Sequence, residues 1–138
     1  MKKIYIAGSF SNDVEREQLN TMIDTVRKEN PNAELFIPML GFIPGGNDKD
    51  ENGEYIMPNY VWARAVFTMD VNAIDSCDEV IALYRGRYSG TGTAWEIGYA
   101  YAKNKPITVY VPGGVDQTSL MVINSASKVI SESEYEQK

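Results

Sequence analysis

Glu96 lies one turn inside the helix expected after a glycine-rich turn, in "GTGTAWEIGYAYAKN" (90–104). A carboxylate in that position is either a cap or a reagent. Thr93 and Glu96 have the T-x-x-E spacing of a capping box, in which the glutamate closes back on the threonine amide. The preceding "SGTGT" supplies glycines where backbone must approach a ligand, and such a turn at a helix N-terminus also suits an anion. The sequence contains no histidine and one cysteine, Cys77. Ser–His and Cys–His nucleophile pairs, histidine metal sites and thiolate zinc sites are thereby excluded. Any catalysis falls to carboxylates, hydroxyls, lysine or tyrosine.

Asp70 is the second carboxylate out of place. It follows Val66 by four residues and precedes Ile74 by four, so an acid shares the apolar stripe of a helix, bordered by Met69 and Ala73. Backbone or arginine partners, or a position at the margin of the stripe, would make it structural; an acid facing a cleft would make it functional. Tyr5 lies in the first apolar strand, where its hydroxyl needs a partner, and the neighbouring strand end offers Glu96. Phe10 and Phe42 stand in loops where an aromatic face can stack on a planar ligand or simply pack. Trp95 and Tyr99 are expected against the sheet, Arg85 and Arg87 in solvent, and Cys77 as a small core residue.

The elements that position these groups follow from the pattern of apolar residues. "KKIYIAGSF" reads as a strand, and Val14, Leu19, Met22, Ile23 and Val26 recur at helical spacing after it. "ELFIP" (34–38) is a second strand, residues 39–58 a long glycine- and proline-rich loop, and residues 59–76 a helix. "DEVIALYRG", "KPITVYV" and "SKVIS" are strands, separated by the helix "TAWEIGYAYAKN" and the short helix "SLMVINSA". Strands with continuous apolar runs that alternate with helices predict one α/β domain over residues 1–138, its mostly parallel sheet covered on both faces. Ligands then bind at the carboxyl ends of the strands, in the loops after Ala7, Pro38, Tyr84 and Val111.

Composition narrows the partners. Hydrophobic residues make up 43% of the chain and charged residues 23%, which is globular. A net charge of -6 repels phosphate backbones and anionic lipid, so the expected ligand is a small molecule, not nucleic acid or membrane. No apolar run is long enough to span a bilayer, and "MKKIYIAGSF" lacks the apolar core of a signal peptide, so a cytoplasmic location is expected.

Four segments, "KIYIAGSF", "FTMDVNAIDSCDEVIAL", "GTGTAWEIGYAYAKNKPI" and "SLMVINSA", resemble the nucleoside 2-deoxyribosyltransferases in order from Lys3 to about Ile130. The specific part is G-T-A-aromatic-E-aliphatic-G with D-aliphatic-N upstream. The resemblance implies a flavodoxin-like three-layer sandwich with five strands. It implies that Glu96 attacks C1′ of a 2′-deoxynucleoside and displaces the base, that Tyr5 orients Glu96, and that Asp70 handles the proton of the departing and arriving base. Gly8, Phe10, Phe42, Ser89, Gly90 and Gly92 are expected around the substrate. Ser119 and Met121 match positions that reach into a neighbouring subunit's site, so a homo-oligomer is implied. The resemblance also implies a free nucleobase as second substrate and no metal or organic cofactor.

That chemistry is consistent with the residue types. Glycosidic cleavage passes through an oxocarbenium-like state that an ionised carboxylate stabilises and traps, while a buried protonated carboxyl assists the leaving group. Retention by double inversion needs carboxyl groups about 5 Å apart. Where this chain has Gly90, members of the family carry an aspartate that contacts the base; they often have glutamine at Phe42, and commonly asparagine, bonding the 5′-hydroxyl, at Ser119. A related branch hydrolyses 2′-deoxynucleoside 5′-monophosphates with serines around the phosphate. Ser119 matches one of these serines and Ser89 lies one place from another, which makes hydrolysis the alternative activity. A non-catalytic nucleotide-sensing module is the alternative of another class, and it requires Glu96 to be only a cap.

Overall fold

The computed structural model describes residues 1–40, 51–52, 60–86, 90–112 and 119–131. The elements run β1 (Lys3–Ala7), α1 (Asp13–Glu29), β2 (Glu34–Phe36), α2 (Tyr60–Ser76), β3 (Glu79–Leu83), α3 (Thr91–Ala102), β4 (Ile107–Val111), α4 (Leu120–Ser125) and β5 (Lys128–Ser131). The five strands form one sheet in the order β2-β1-β3-β4-β5. Every pairing is parallel, so the expected α/β sandwich is present with a wholly parallel sheet. The chain leaves β1 toward β2 on one side and returns to β3 on the other. That reversal between β1 and β3 opens the crevice in which doubly wound sheets bind ligands.

Side chains alternate across the sheet with period two and sort the core into two halves. Ile4, Ile6, Ile81, Leu83 and Tyr110 pack with Leu19, Met22, Ile23 and Val26 of α1. Tyr5, Ala7, Val80, Ala82, Val109 and Val111 face the other way, onto Ile74 of α2, Ile97 and Ala100 of α3 and Val122 of α4. The same alternation that buries Ile4 and Ile6 under α1 therefore turns Tyr5 toward α2 and α3. Cys77 is buried in that second half, as its setting in the sequence suggested.

Several local readings change in three dimensions. Pro38 ends β2 early, because it has no amide for the ladder, and begins a short 3-10 turn, Pro38–Leu40. Arg85 is not solvated: its Nε donates to Gln18 Oε1 and its Nη2 to the Glu15 carbonyl at 3.1 Å, tying the end of β3 to α1. Arg87, Phe42, Ser89 and most of the 39–58 loop lie outside the described residues.

Gly8 ends β1 under α1. A Cβ on it would lie 2.7 Å from Leu19 Cδ1, and Leu19 is itself fully packed. The close approach at Gly8 is thus to the core. Gly8→Ala is expected to destabilise the protein by about 1–3 kcal/mol, the usual cost of overpacking, in urea or thermal unfolding. A wild-type midpoint would remove that reading.

Candidate active site

α3 starts earlier than its apolar pattern suggests. Gly90, with extended backbone (φ -71°, ψ 157°), is the N-cap, and its amide donates to Ser9 Oγ at 3.2 Å. Thr93 is therefore inside the first turn and buried, so it does not serve as the cap of a T-x-x-E box. Glu96 is released from that duty. Its Oε2 instead accepts a hydrogen bond from the Tyr5 hydroxyl, 91 positions away in the chain. Tyr5 is fully buried, and its ring stacks on Phe36 of β2 with centroids 5.4 Å apart and planes at 12°. Strand β1 thus presents to Glu96 a donor whose ring cannot swing away.

Asp70 meets this pair from α2. Its Oδ1 is buried and has no hydrogen-bond partner among the described residues. Buried polar atoms are almost always satisfied, so a carboxyl oxygen left bare beside a cleft marks a place where a proton or a ligand belongs. Asp70 and Glu96 line one cavity of about 400 Å3 with Phe67, Val71, Thr91, Gly92 and Trp95. Of the residues expected around substrate, Gly92 is in this wall, where its missing side chain leaves open space.

Electrostatics follow from burial and from what each oxygen meets. Desolvation raises Asp70 to about 6. Desolvation likewise raises Glu96, to about 7; the Tyr5 hydrogen bond pulls that value down, while the charge of Asp70 pushes it up. Burial and the nearby Glu96 charge drive the Tyr5 hydroxyl far above its ordinary value, so Tyr5 acts only as a donor. Near neutrality the two carboxyls hold about one proton between them. Burial raises Glu96 above Asp70, whereas Tyr5 donates to Glu96 and no described residue donates to Asp70 Oδ1; the hydrogen-bond geometry argues for charge on Glu96 and the proton on Asp70, against the order of the two values. A carboxylate with a fixed donor beside a protonated carboxyl has the chemistry to pair a nucleophile with a general acid.

Removing that donor has a signed consequence. In Tyr5→Phe the contribution that lowers Glu96 is lost, so Glu96 titrates higher than in the wild type and the acid limb of a pH–rate profile moves to higher pH. We expect a loss of about 10–100-fold at pH 6, shrinking as pH rises toward 8. A unchanged acid limb would reject the coupling.

The remaining expected site residues are distributed elsewhere. Gly90 takes the place of an acidic side chain, and a Cβ there would sit 3.0 Å from Ser9 Oγ, so Ser9 crowds the space that such a side chain would enter. Phe10 is 39% exposed and does not line the cavity with Glu96. Ser119 caps α4, its hydroxyl accepting from the Met121 amide at 3.2 Å. Ser119 and Met121 border a different cavity, of about 430 Å3, beside Tyr84, Ile97 and Tyr101.

Two aromatic wall residues escaped the sequence reading. Trp95 does not pack on the sheet: it is 47% exposed, stacked on Tyr99 (centroids 5.2 Å, planes at 6°) and tilted against Phe67 (5.4 Å, 59°). Phe67 is one turn before Asp70 and Trp95 adjoins Glu96, a proximity legible only once both carboxylates are assigned to one cleft.

The chain is similar to several known proteins. A family model described as nucleoside 2-deoxyribosyltransferase matches residues 4–130. The chain is 27% identical over 114 residues to a nucleoside deoxyribosyltransferase of Lactobacillus leichmannii, spanning 80% of this chain and 71% of that one. It superposes on a 2-deoxyribosyltransferase of Bacillus psychrosaccharolyticus with a TM-score of 0.72 at 25% identity, covering 93% of this chain and 85% of the other. A CMP N-glycosidase of Clostridium botulinum shares the fold, with a TM-score of 0.60 at 20% identity over 99% of this chain and 96% of its own.

Proposed function

The chain belongs to the nucleoside 2-deoxyribosyltransferase family, and from that premise we propose that it moves 2-deoxyribose between nucleobases through an ester on Glu96. The observation that carries this reading is the Tyr5–Glu96 hydrogen bond beside the unpartnered Asp70 oxygen in a single cavity. A Glu96 oxygen forms a bond to C1′ as the C1′–N bond breaks, and the departing base takes the proton of Asp70. Charge on Glu96 stabilises the oxocarbenium-like state and then collapses onto it. Tyr5 keeps one oxygen engaged and the carboxylate aimed. In the second half an acceptor base attacks C1′ from the face the first base left, gives a proton to the Asp70 carboxylate and releases Glu96. Two inversions retain configuration. The substrates are a 2′-deoxynucleoside and a free nucleobase, and the side chains supply the acid and the nucleophile without a cofactor.

The wall of the cavity favours a nucleoside over a 5′-monophosphate. Its described lining has two carboxyls and no lysine or arginine, and a phosphate dianion held there would meet like charge. The site is completed by a second copy of the chain. Met121 is 81% exposed at the edge of its own apolar cavity, available to a neighbour's cleft. A monomer in light scattering at assay concentration would remove this part of the reading.

One assay tests the reaction. Incubation with deoxyinosine or thymidine plus adenine is expected to yield deoxyadenosine and the displaced base in equal amounts. Incubation with dCMP or dGMP is expected to yield nothing. Release of deoxyribose 5-phosphate from the nucleotides, without base exchange on nucleosides, would make the protein a hydrolase instead.

A further inference from the structure

Within the cleft proposed above, the two carboxyls and Tyr5 account for bond breaking at C1′, and the base must be held by other groups. Gly90 has no side chain to offer it, and Phe10 is outside the cavity. What the cavity offers instead is aromatic. Phe67 and Trp95, each about half exposed, lie against one another in the wall that also holds Asp70 and Glu96.

An exposed indole is ordinarily mobile, yet this one is braced. Tyr99 stacks nearly parallel on one face of Trp95 and is not part of the cavity wall, so it backs the indole from outside the cleft lining. The Tyr99 hydroxyl donates to Asp75 Oδ1 at 2.6 Å, and Lys105 Nζ donates to the Asp75 and Cys77 carbonyls at 2.9 and 2.8 Å. The brace therefore runs from the C-terminal end of α2, through Tyr99, to Trp95. An aromatic ring in a cavity wall, backed on one face by a parallel ring, can serve as a stacking platform, and bases stack on such surfaces whatever their edge pattern. The volume, about 400 Å3, is in the range of small-molecule sites.

We propose that Trp95, with Phe67, is the platform on which the nucleobase stacks beside Asp70, and that Tyr99 is the positioning residue holding it. The inference rests on the deoxyribosyl-transfer reading for its kinetics but not for its binding test. Stacking scales with ring area, so purines are retained better than pyrimidines, and this preference belongs to Trp95.

Two measurements decide it. In transfer from deoxyinosine, Trp95→Leu is expected to raise KM for adenine about tenfold, with kcat changed less than about threefold, whereas Trp95→Phe stays within about threefold of wild type in both. The chain has two tryptophans, so in a Trp62→Phe background adenine or hypoxanthine is expected to quench the emission of Trp95 saturably. Without turnover in the wild type, the transfer reading fails by itself, and the quenching titration still reports whether a base meets Trp95. No quenching at millimolar base, or a wild-type KM in Trp95→Leu, overturns the platform. So does a Trp95→Leu protein whose defect is a changed molar mass in light scattering with KM for the base unaltered, since these aromatics would then be an interface between copies.

Discussion

Glu96→Gln is expected to abolish base exchange, lowering turnover at least about a thousandfold, because an amide forms no ester with C1′ and carries no charge to meet a developing cation. The substitution changes little else. Glutamine Oε1 can accept the same hydrogen bond from Tyr5, and the cavity keeps its shape. The stability cost at pH 6 should stay under about 1 kcal/mol, the size of one ordinary hydrogen bond. The pH dependence of stability carries a second signature. Glu96 is raised in the folded chain from 4.5 to about 7, so the folded state retains a proton that the unfolded state has released. Its stabilising contribution is complete below about 4.5 and is lost as pH rises through about 7. Glutamine removes that dependence, and the variant should melt at or above the wild type at pH 8. Intact-protein mass spectrometry after a deoxynucleoside pulse should detect a deoxyribosyl adduct on the wild type and none on the variant. Full turnover in Glu96→Gln would leave the cleft without its nucleophile.

Asp70→Asn is expected to be the other large effect, slowing cleavage by about 100–10,000-fold, the range of general acid catalysis. The wild type should have a bell-shaped profile of kcat/KM. Activity needs one proton on the pair: it falls below about 6, where both carboxyls are protonated, and above about 7, where both are ionised. Asparagine deletes the alkaline limb, because no acid remains to be lost. The acid limb reports protonation of Glu96 beside a neutral residue 70 in both proteins, so it stays in place in the variant. Bases activated by strong electron withdrawal need less protonation and should recover most of the rate. A bell of unchanged shape in Asp70→Asn, or an equal loss with activated leaving groups, would reject the proton role.

The fold was legible because its cause is local. Runs such as "VIAL" and "ITVYV" can be buried on both faces only in a covered sheet, and of the helical recurrence Leu19, Met22, Ile23 and Val26 lie on the face that α1 buries, while Val14, in its first turn, is exposed. The position of Asp70 on an apolar stripe was equally local, a consequence of helical period alone. The misreadings were of another kind. The start of α3 was displaced because Gly90 owes its cap geometry to Ser9, eighty-one positions earlier. Arg85 was assigned to solvent because its partners, Gln18 and Glu15, are on a helix that no pattern around position 85 reports.

The sequence by itself determined the order of strands and helices and the residue types available for chemistry, since each depends on composition, period or spacing along the chain, and its motifs carried the resemblance to the family. Only the tertiary structure showed that Glu96 closes no capping box with Thr93 and meets the Tyr5 hydroxyl instead. Parallel pairing of β1 with β3 brings Tyr5 to the helix that follows β3, and the two-residue period of the strand turns its hydroxyl to that side. The same packing exposed Trp95 and set it beside the carboxyls, because the interior face of α3 was already filled by Thr93, Ile97 and Ala100. Burial then shifted the two acids toward neutrality, and burial is a property of the packed chain that neighbours in sequence do not confer.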